Sequence, residues 1–103
     1  MASTNEYLEY VLDLLGSVDG IRHRKMMGEY VLYCRDKVFG GIYDDRFLIK
    51  TTDSVKELLF DAPQQLNYKG GTLMTLVTSE DQTLIAHVVT TMWAELPMPK
   101  KRR

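Results

Sequence analysis

Runs of β-branched and aromatic residues, separated by short polar breaks, fill the first half of the chain. In the first run Tyr30, Leu32 and Cys34 recur at every second position, as expected for a strand with one buried face. Residues 36–37 and 44–45 form the breaks, and the aspartates there tolerate the left-handed backbone of a tight turn. This pattern predicts consecutive hairpins, an antiparallel meander. The predicted strand runs are residues 29–35, 38–43 and 46–51.

Both ends of the chain show helical periodicity instead. Ser3 with Glu6 predicts a capping box that starts the first helix, and Ser79 with Gln82 predicts another at the last helix. The last helix carries a regular apolar stripe, which predicts that it forms part of the core. The stripe consists of Leu84, Ile85, Val88, Val89, Met92, Trp93 and Leu96.

The apolar face of the first helix is wider than the ~100° stripe of a helix that lies on one surface. Glu9 and Asp13 alone mark its polar side. Two explanations fit this pattern. Either two surfaces of the same chain cover the helix, or one flank, formed by Tyr7, Tyr10 and Leu14, contacts a second subunit. The second explanation predicts a homodimer.

The segment between the meander and the last helix is less regular. Thr52 or Asp53 is expected to cap a short second helix. Residues 64–71 are expected to form a connecting loop, and residues 72–78 a further strand. Glycine weakens a strand, so the pair at 40–41 predicts a bulge or the close approach of a helix backbone.

These elements predict a two-layer α+β fold. Its antiparallel sheet, a meander plus one later strand, is expected to be covered by the N- and C-terminal helices. A length of 103 residues fits one domain. We assign that domain to residues 1–96 and interpret residues 97–103 as a basic C-terminal tail.

Composition and charge exclude several classes of protein. The formal net charge of −1 differs from the strongly basic balance usual in nucleic-acid-binding domains. Cys34 is the only cysteine, which excludes an intrachain disulfide and a cysteine-rich metal site. The N terminus does not have the pattern of a signal peptide. Because no apolar run approaches the ~18 residues of a membrane span, we expect a cytoplasmic protein with no membrane association.

No known catalytic or phosphate-binding motif occurs in the sequence. His87 falls on the polar side of the last helix, and His23 lies between two arginines. A nucleophilic or small-molecule site around Cys34 is an alternative, although an apolar strand raises the pKa of a thiol and lowers its reactivity. We expect a non-enzymatic protein with no cofactor and no metal site.

Arg22, Arg24 and Lys25 belong to the densest basic run before the tail and are the candidate binding residues. Charge on an edge strand often serves only to prevent strand-to-strand aggregation. The same cations also suit an acidic partner or a nucleic-acid backbone. Because aromatic residues do not interleave with them as in a stacking surface, we favour an unidentified protein partner over nucleic acid.

Several segments resemble the TfoX (Sxy) N-terminal domain family. Residues 24–33, R-K-M-M-G-E-Y-V-L-Y, are similar to its R-x-M-F-G-G-Y-G-L-Y segment. Residues 45–50, D-R-F-L-I-K, resemble its D-D-R-x-Y-L-K, and residues 7–15 resemble its first helix. The resemblance covers roughly residues 6–94. The chain departs from the family pattern at Met27, Glu29 and Val31.

The resemblance implies helices packed on an antiparallel sheet and a relation to bacterial regulators of natural competence, which act in the transcription of DNA-uptake genes. It offers no catalytic residue. Full-length regulators carry a second, helical C-terminal domain, for which this chain has no room. We therefore favour a non-enzymatic regulatory or protein-interaction domain that lacks this second domain. Weak nucleic-acid binding through the basic run is the alternative.

Overall fold

The computed structural model describes residues 3–97, in which six strands form one antiparallel sheet and three helices pack against it. The elements in chain order are α1 (Asn5–Leu14), β1 (Ile21–Met26), β2 (Glu29–Cys34), β3 (Lys37–Ile42), β4 (Phe47–Ile49), α2 (Asp53–Leu58), β5 (Gln64–Leu66), β6 (Leu73–Leu76) and α3 (Gln82–Trp93). The strands lie in the order β1-β2-β3-β4-β6-β5. The predicted α+β fold is confirmed, with the meander followed by a later strand, β6. Apart from Pro97, the predicted tail lies outside the described residues.

The interpretation of residues 64–71 as a connecting loop is wrong. Residues 64–66 form β5, which pairs with β6 at the edge of the sheet and places Gln65 opposite Met74. This strand is short and has the sequence Gln-Gln-Leu, so neither alternation nor β propensity marks it. Its pairing with β6 defines it instead.

Two-residue turns connect the first four strands, and both residues of each turn have a positive φ, as the right-handed twist of a hairpin requires. The predicted tip at residues 44–45 is confirmed, with φ of 53° and 54°. The predicted break at 36–37 is wrong by one residue, because Arg35 and Asp36 form the turn and Lys37 begins β3. The remaining turn consists of Met27 and Gly28.

The helix starts also differ from the predicted capping boxes. Thr4 rather than Ser3 is the N-cap of α1, and Asp81 rather than Ser79 is the N-cap of α3. Each cap side chain accepts a hydrogen bond from a backbone N–H of the first turn, which would otherwise have no partner. For α2 the prediction is confirmed, because Thr52 caps it.

All three helices lie on one face of the sheet and share its core. The predicted role of the α3 stripe is confirmed, since Val88 and Met92 are buried against Phe39 and other sheet residues. Burying such a side chain contributes about 1.5–3 kcal/mol. The opposite face carries no helix within residues 3–97, and we call it the uncovered face. By alternation along the strands, its side chains include Arg22, Arg24, Val31, Tyr33, Val38, Leu48 and Met74.

The chain itself covers most of the wide apolar face of α1. Several of its residues enter the core, namely Leu8, Val11, Leu14 and Leu15. Tyr10 is 40% exposed, and its hydroxyl donates a hydrogen bond to the Glu80 carboxylate at 3.1 Å. In the flank predicted to contact a second subunit, Leu14 is therefore buried, whereas Tyr7 and Tyr10 keep part of their surface exposed.

The glycine pair in β3 lies where two neighbouring strands approach closely. A Cβ on Gly40 would lie 2.3 Å from the carbonyl oxygen of Leu48, and a Cβ on Gly41 would lie 2.6 Å from that of Tyr30. The register between β2 and β3 shifts beside this pair, which leaves Phe39 as an extra residue. The predicted bulge is thus confirmed, and the close approach involves strands rather than a helix backbone.

Candidate functional site

The candidate binding residues lie on β1, an edge strand of the sheet. The pairs across β1 and β2 are Arg22 with Tyr33, Arg24 with Val31 and Lys25 with Tyr30. Directly opposite residues of an antiparallel pair share a face, and Tyr30 belongs to the core. Arg22 and Arg24 therefore project from the uncovered face, whereas Lys25 projects from the helix-bearing face. The structure brings two of the three residues together and separates the third from them.

The two arginines of the uncovered face are accessible to an anionic ligand. Every residue of β1 after Ile21 is exposed. The Arg22 guanidinium lies 3.8 Å from the Asp36 carboxylate, with both side chains more than three quarters exposed. Such a surface pair contributes about 0–1 kcal/mol and leaves the cation solvated. With Arg24 and Tyr33, this pair borders a shallow groove of about 330 Å³.

An exposed apolar surface adjoins this groove. It consists of Met26, Met27, Val31, Tyr43 and Tyr68, which border a cavity of about 510 Å³, and we call it the methionine–tyrosine patch. Met27 is 98% exposed at the tip of a turn, and Tyr68 is 62% exposed. The rings of Tyr43 and Tyr68 lie 6.4 Å apart between centroids. Contiguous exposed apolar surface typically marks an interaction site, and methionine adapts to partners of varied shape.

The centre of the uncovered face contains buried side chains although no helix of residues 3–97 lies over it. Leu48 and Met74 are buried there but do not belong to the core cluster of the other face. The Tyr43 ring lies against Gly41, where an added Cβ would be 2.7 Å from it. Burial raises the pKa of the Tyr43 hydroxyl, and a hydrogen bond with Asn67 opposes this effect. Tyr43 thus packs on β3 at Gly41, whereas the β1 side of this face is open.

Arg46 connects the β3–β4 turn to the β5–β6 hairpin. Its guanidinium donates hydrogen bonds to the side-chain oxygen of Gln65 at 2.9 Å and to the backbone carbonyls of Leu66 and Asn67 at 3.1 Å. The residue patterns did not single out Arg46. The available signal was its place in the D-R-F-L-I-K segment, and a role for it there could not be inferred without the position of β5.

Glu29, one of the departures from the family pattern, connects the N-terminal segment to the β3–β4 turn. The Ser3 hydroxyl donates to the Glu29 carboxylate at 2.6 Å, and this carboxylate also accepts from the Asp44 amide at 3.1 Å. The Asp45 carboxylate accepts from the Thr4 amide at 2.8 Å. The glutamate therefore has a structural role in this chain.

Cys34 has the surroundings of a structural cysteine. The residue is 2% exposed, and its sulfur lies 3.5 Å from the Asp19 carbonyl oxygen. Burial raises its pKa, with Arg35 acting in the opposite direction, so the reactive thiolate is disfavoured. The indole N–H of Trp93 donates to the Cys34 carbonyl at 2.6 Å, and the buried Lys37 amine lies 3.9 Å from the centre of the same ring. These contacts join β2 and β3 to the end of α3.

Side chains suited to metal binding are dispersed. Within residues 3–97, no group of three or more histidine, cysteine, aspartate or glutamate side chains is placed to hold a metal ion. His87 is exposed on α3, and the His23 ring packs edge-on against Tyr30 with 6.0 Å between centroids. Over the same part of the chain, every helix is too short or too polar to cross a membrane.

The comparisons with known proteins agree with the segments that resemble TfoX. The sequence pattern of the TfoX N-terminal domain matches residues 13–93. An uncharacterized 12.7 kDa protein in the trpE 5′ region of Spirochaeta aurantia is 39% identical over 64 residues, which are 62% of this chain and 55% of the relative. The match thus spans about half of that relative. No solved structure matches the chain. Since the family pattern covers most of its length, including the whole sheet, the chain belongs to the TfoX N-terminal domain family.

Proposed function

We propose that this domain is a non-enzymatic, cytoplasmic protein-interaction module that acts in regulation. The methionine–tyrosine patch carries the proposal, because it exposes adaptable apolar side chains next to accessible arginines on the uncovered face of the sheet. The centres of protein interfaces are typically enriched in methionine, tyrosine and arginine. The process in which we propose that it acts is the transcriptional control of DNA-uptake genes, as the resemblance to competence regulators implies.

Site-specific photo-crosslinking in the native cell tests the interaction role. With p-benzoylphenylalanine in place of Tyr68, which is 62% exposed in the patch, we expect one defined crosslinked protein. The matched control carries the same group in place of His87, which is exposed on α3, and should not give that product. Identical products at both positions, or none at Tyr68, would contradict the proposed interaction surface.

The regulatory process requires a separate test. Deletion of the gene should change the transcript levels of DNA-uptake genes, and re-expression of the intact chain should restore them. A variant with Met27→Asp and Tyr68→Asp should fold but fail to restore them, because two carboxylates disrupt an apolar interface. Unchanged transcript levels after deletion would contradict a role in the regulation of DNA-uptake genes. The interaction role would then be judged by the crosslinking result alone.

A homodimer remains part of the proposal, through the exposed parts of Tyr7 and Tyr10. Their rings lie 5.6 Å apart between centroids on the outer side of α1. Sedimentation at high micromolar protein concentration should show a dimer, and Tyr10→Glu should shift it to a monomer. A monomer for the unmodified chain under these conditions would contradict the dimer.

Weak nucleic-acid binding is the second candidate function. The observation that favours it is the groove in which Arg22 and Arg24 flank Tyr33, since cations beside an aromatic ring suit a phosphate backbone with stacked bases. Two phosphate contacts predict a slope of about −2 for the logarithm of the binding constant against the logarithm of salt concentration. Binding to duplex DNA that is absent or insensitive to salt would rule this candidate out.

A further inference from the structure

β1 ends the sheet on one side. It pairs with β2 along one edge, and the strand order places no other strand of residues 3–97 along its second edge. The backbone N–H and C=O groups on that edge therefore offer hydrogen bonds to an additional strand. Six residues of β1, Ile21–Met26, are in register with β2, which is a length typical of a complete strand.

The cations of β1 alternate between the two faces of the sheet. Arg22 and Arg24 lie on the uncovered face, and Lys25 lies on the helix-bearing face, where it remains exposed. A nucleic-acid backbone that approaches one face meets only the cations of that face. An extended peptide added beside β1 has side chains that alternate in the same way, so acidic residues at successive positions meet cations on both faces. The alternation thus favours a peptide over a nucleic acid.

A second copy of this chain does not fit the same edge. Pairing of β1 with β1 of another molecule would place basic side chains opposite basic side chains, and directly opposed like charges destabilise a strand pair. An acidic segment would instead place carboxylates opposite the basic side chains of β1, so that each repulsion is replaced by an attraction. Beyond the cations, Met26 at the end of β1 is 47% exposed and the adjoining Met27 is 98% exposed, so they can contact apolar residues that flank the acidic run.

We infer that β1 binds an acidic peptide segment of a partner protein in extended conformation, as a seventh strand of the sheet. The inference rests on the proposed interaction function and specifies the chemistry of the partner. Backbone hydrogen bonds to the edge of β1 hold the segment, and carboxylates beside Arg24 and Lys25 select it.

The probe for the binding test is a fluorescein-labelled peptide of about eight residues, enough for one strand, with a central run of glutamates and valine and threonine at both ends. Its binding is measured by fluorescence anisotropy. Arg24→Glu and Lys25→Glu should each weaken binding by roughly fivefold or more, because each replaces an attraction of the size of an exposed ion pair with a repulsion. The matched control is Lys56→Glu, the same change of charge on the exposed side of α2, and it should leave binding unchanged.

Two N-methylated versions of the peptide test the backbone hydrogen bonds. One carries methyl groups on alternate amides, which leaves the N–H donors of one edge free, and the other carries them on every amide, which leaves the carboxylates but removes all N–H donors. Because an added strand uses only one edge for β1, the first version should retain binding and the second should lose it. Equal affinity of the two methylated versions would overturn the inference. So would a Lys56→Glu variant that loses as much affinity for the unmodified peptide as Arg24→Glu and Lys25→Glu do.

The test also separates this inference from the proposed function. Stronger binding of duplex DNA than of the peptide at the same salt concentration, with displacement of the peptide, would assign the edge to nucleic acid and overturn the inference. If the unmodified peptide does not bind while the Tyr68 crosslink persists, the inference fails and the interaction function stands. The circular dichroism spectrum of each variant shows whether it is folded, so that a loss of binding can be assigned to the changed residue of β1 rather than to unfolding.

Discussion

The two faces of the sheet show how one set of strands serves two purposes. Along β2, Leu32 and Cys34 enter a core that three helices cover, whereas Val31 and Tyr33 on the other face are only half-buried. Both faces are largely apolar, so polarity alone does not distinguish them. The two faces differ in what packs on them within residues 3–97. Three helices cover one face, whereas the other carries Tyr43 and the hydrogen bonds of Arg46 to the β5–β6 hairpin. The second arrangement leaves the β1 side of the sheet open for a partner.

The largest predicted difference between the faces concerns adjacent residues of β3. Phe39 is fully buried under the helices, so Phe39→Ala should lower the free energy of unfolding by about 3–5 kcal/mol through lost burial and a cavity. Val38 is half-buried on the uncovered face, and Val38→Ala should cost only about 1 kcal/mol or less. Urea denaturation measures both values. Equal losses would mean that the uncovered face is packed as tightly as the core.

The connection made by Arg46 is the next largest effect. Arg46→Ala removes charged hydrogen bonds to the β5–β6 hairpin and should cost about 1.5–3 kcal/mol. Amide hydrogen exchange should accelerate at Leu66 and Asn67 before it does so in α3. The control Lys56→Ala, at an exposed position, should change stability by no more than about 0.5 kcal/mol. Unchanged exchange in the hairpin would show that strand pairing alone holds it.

The sequence predicted the parts of the fold that depend on local pattern. Period-two runs located β2, and the apolar stripe identified α3 as a core helix because both signals lie within one element. The pattern missed β5, whose three residues carry no signal apart from their pairing with β6. It also misplaced caps and one turn by one or two residues, because neighbouring residues compete for the same backbone N–H groups.

The candidate site was predictable only in part. The basic run was visible in the sequence, but it has no clean polar–apolar alternation, so the sequence did not separate Arg22 and Arg24 from Lys25. Which face lacks helices depends on packing between distant segments, so the pattern could not place the two arginines on the uncovered face. Arg46 was missed for the same reason, since its hydrogen bonds reach residues about 20 positions away.

The smallest predicted effect concerns the pH-dependent contact between Ser54 of α2 and Glu95, which follows α3. The hydroxyl and backbone amide of Ser54 both donate to the Glu95 carboxylate, and these hydrogen bonds hold the pKa of Glu95 below its ordinary value of 4.5. Because the pKa of Glu95 is lower in the folded state than in the unfolded state, these hydrogen bonds stabilise the fold above about pH 4.5. This stabilisation is lost as the pH falls through the folded-state pKa. In Ser54→Ala the pKa of Glu95 should rise towards 4.5. An NMR titration measures this pKa, and an unchanged value would show that the hydrogen bond from the Ser54 hydroxyl does not form in solution.

The difference between the two faces is tested most directly by thiol labelling of Val31→Cys, in which native Cys34 serves as an internal control on the same strand. The introduced thiol should react quickly with an alkylating reagent. Cys34 should react at least ~10³-fold more slowly, because it is reached only through opening of the core, whose free energy approaches the global stability of about 5–15 kcal/mol. Two well-separated phases would support one covered and one open face, whereas equal rates at the two positions would contradict the account.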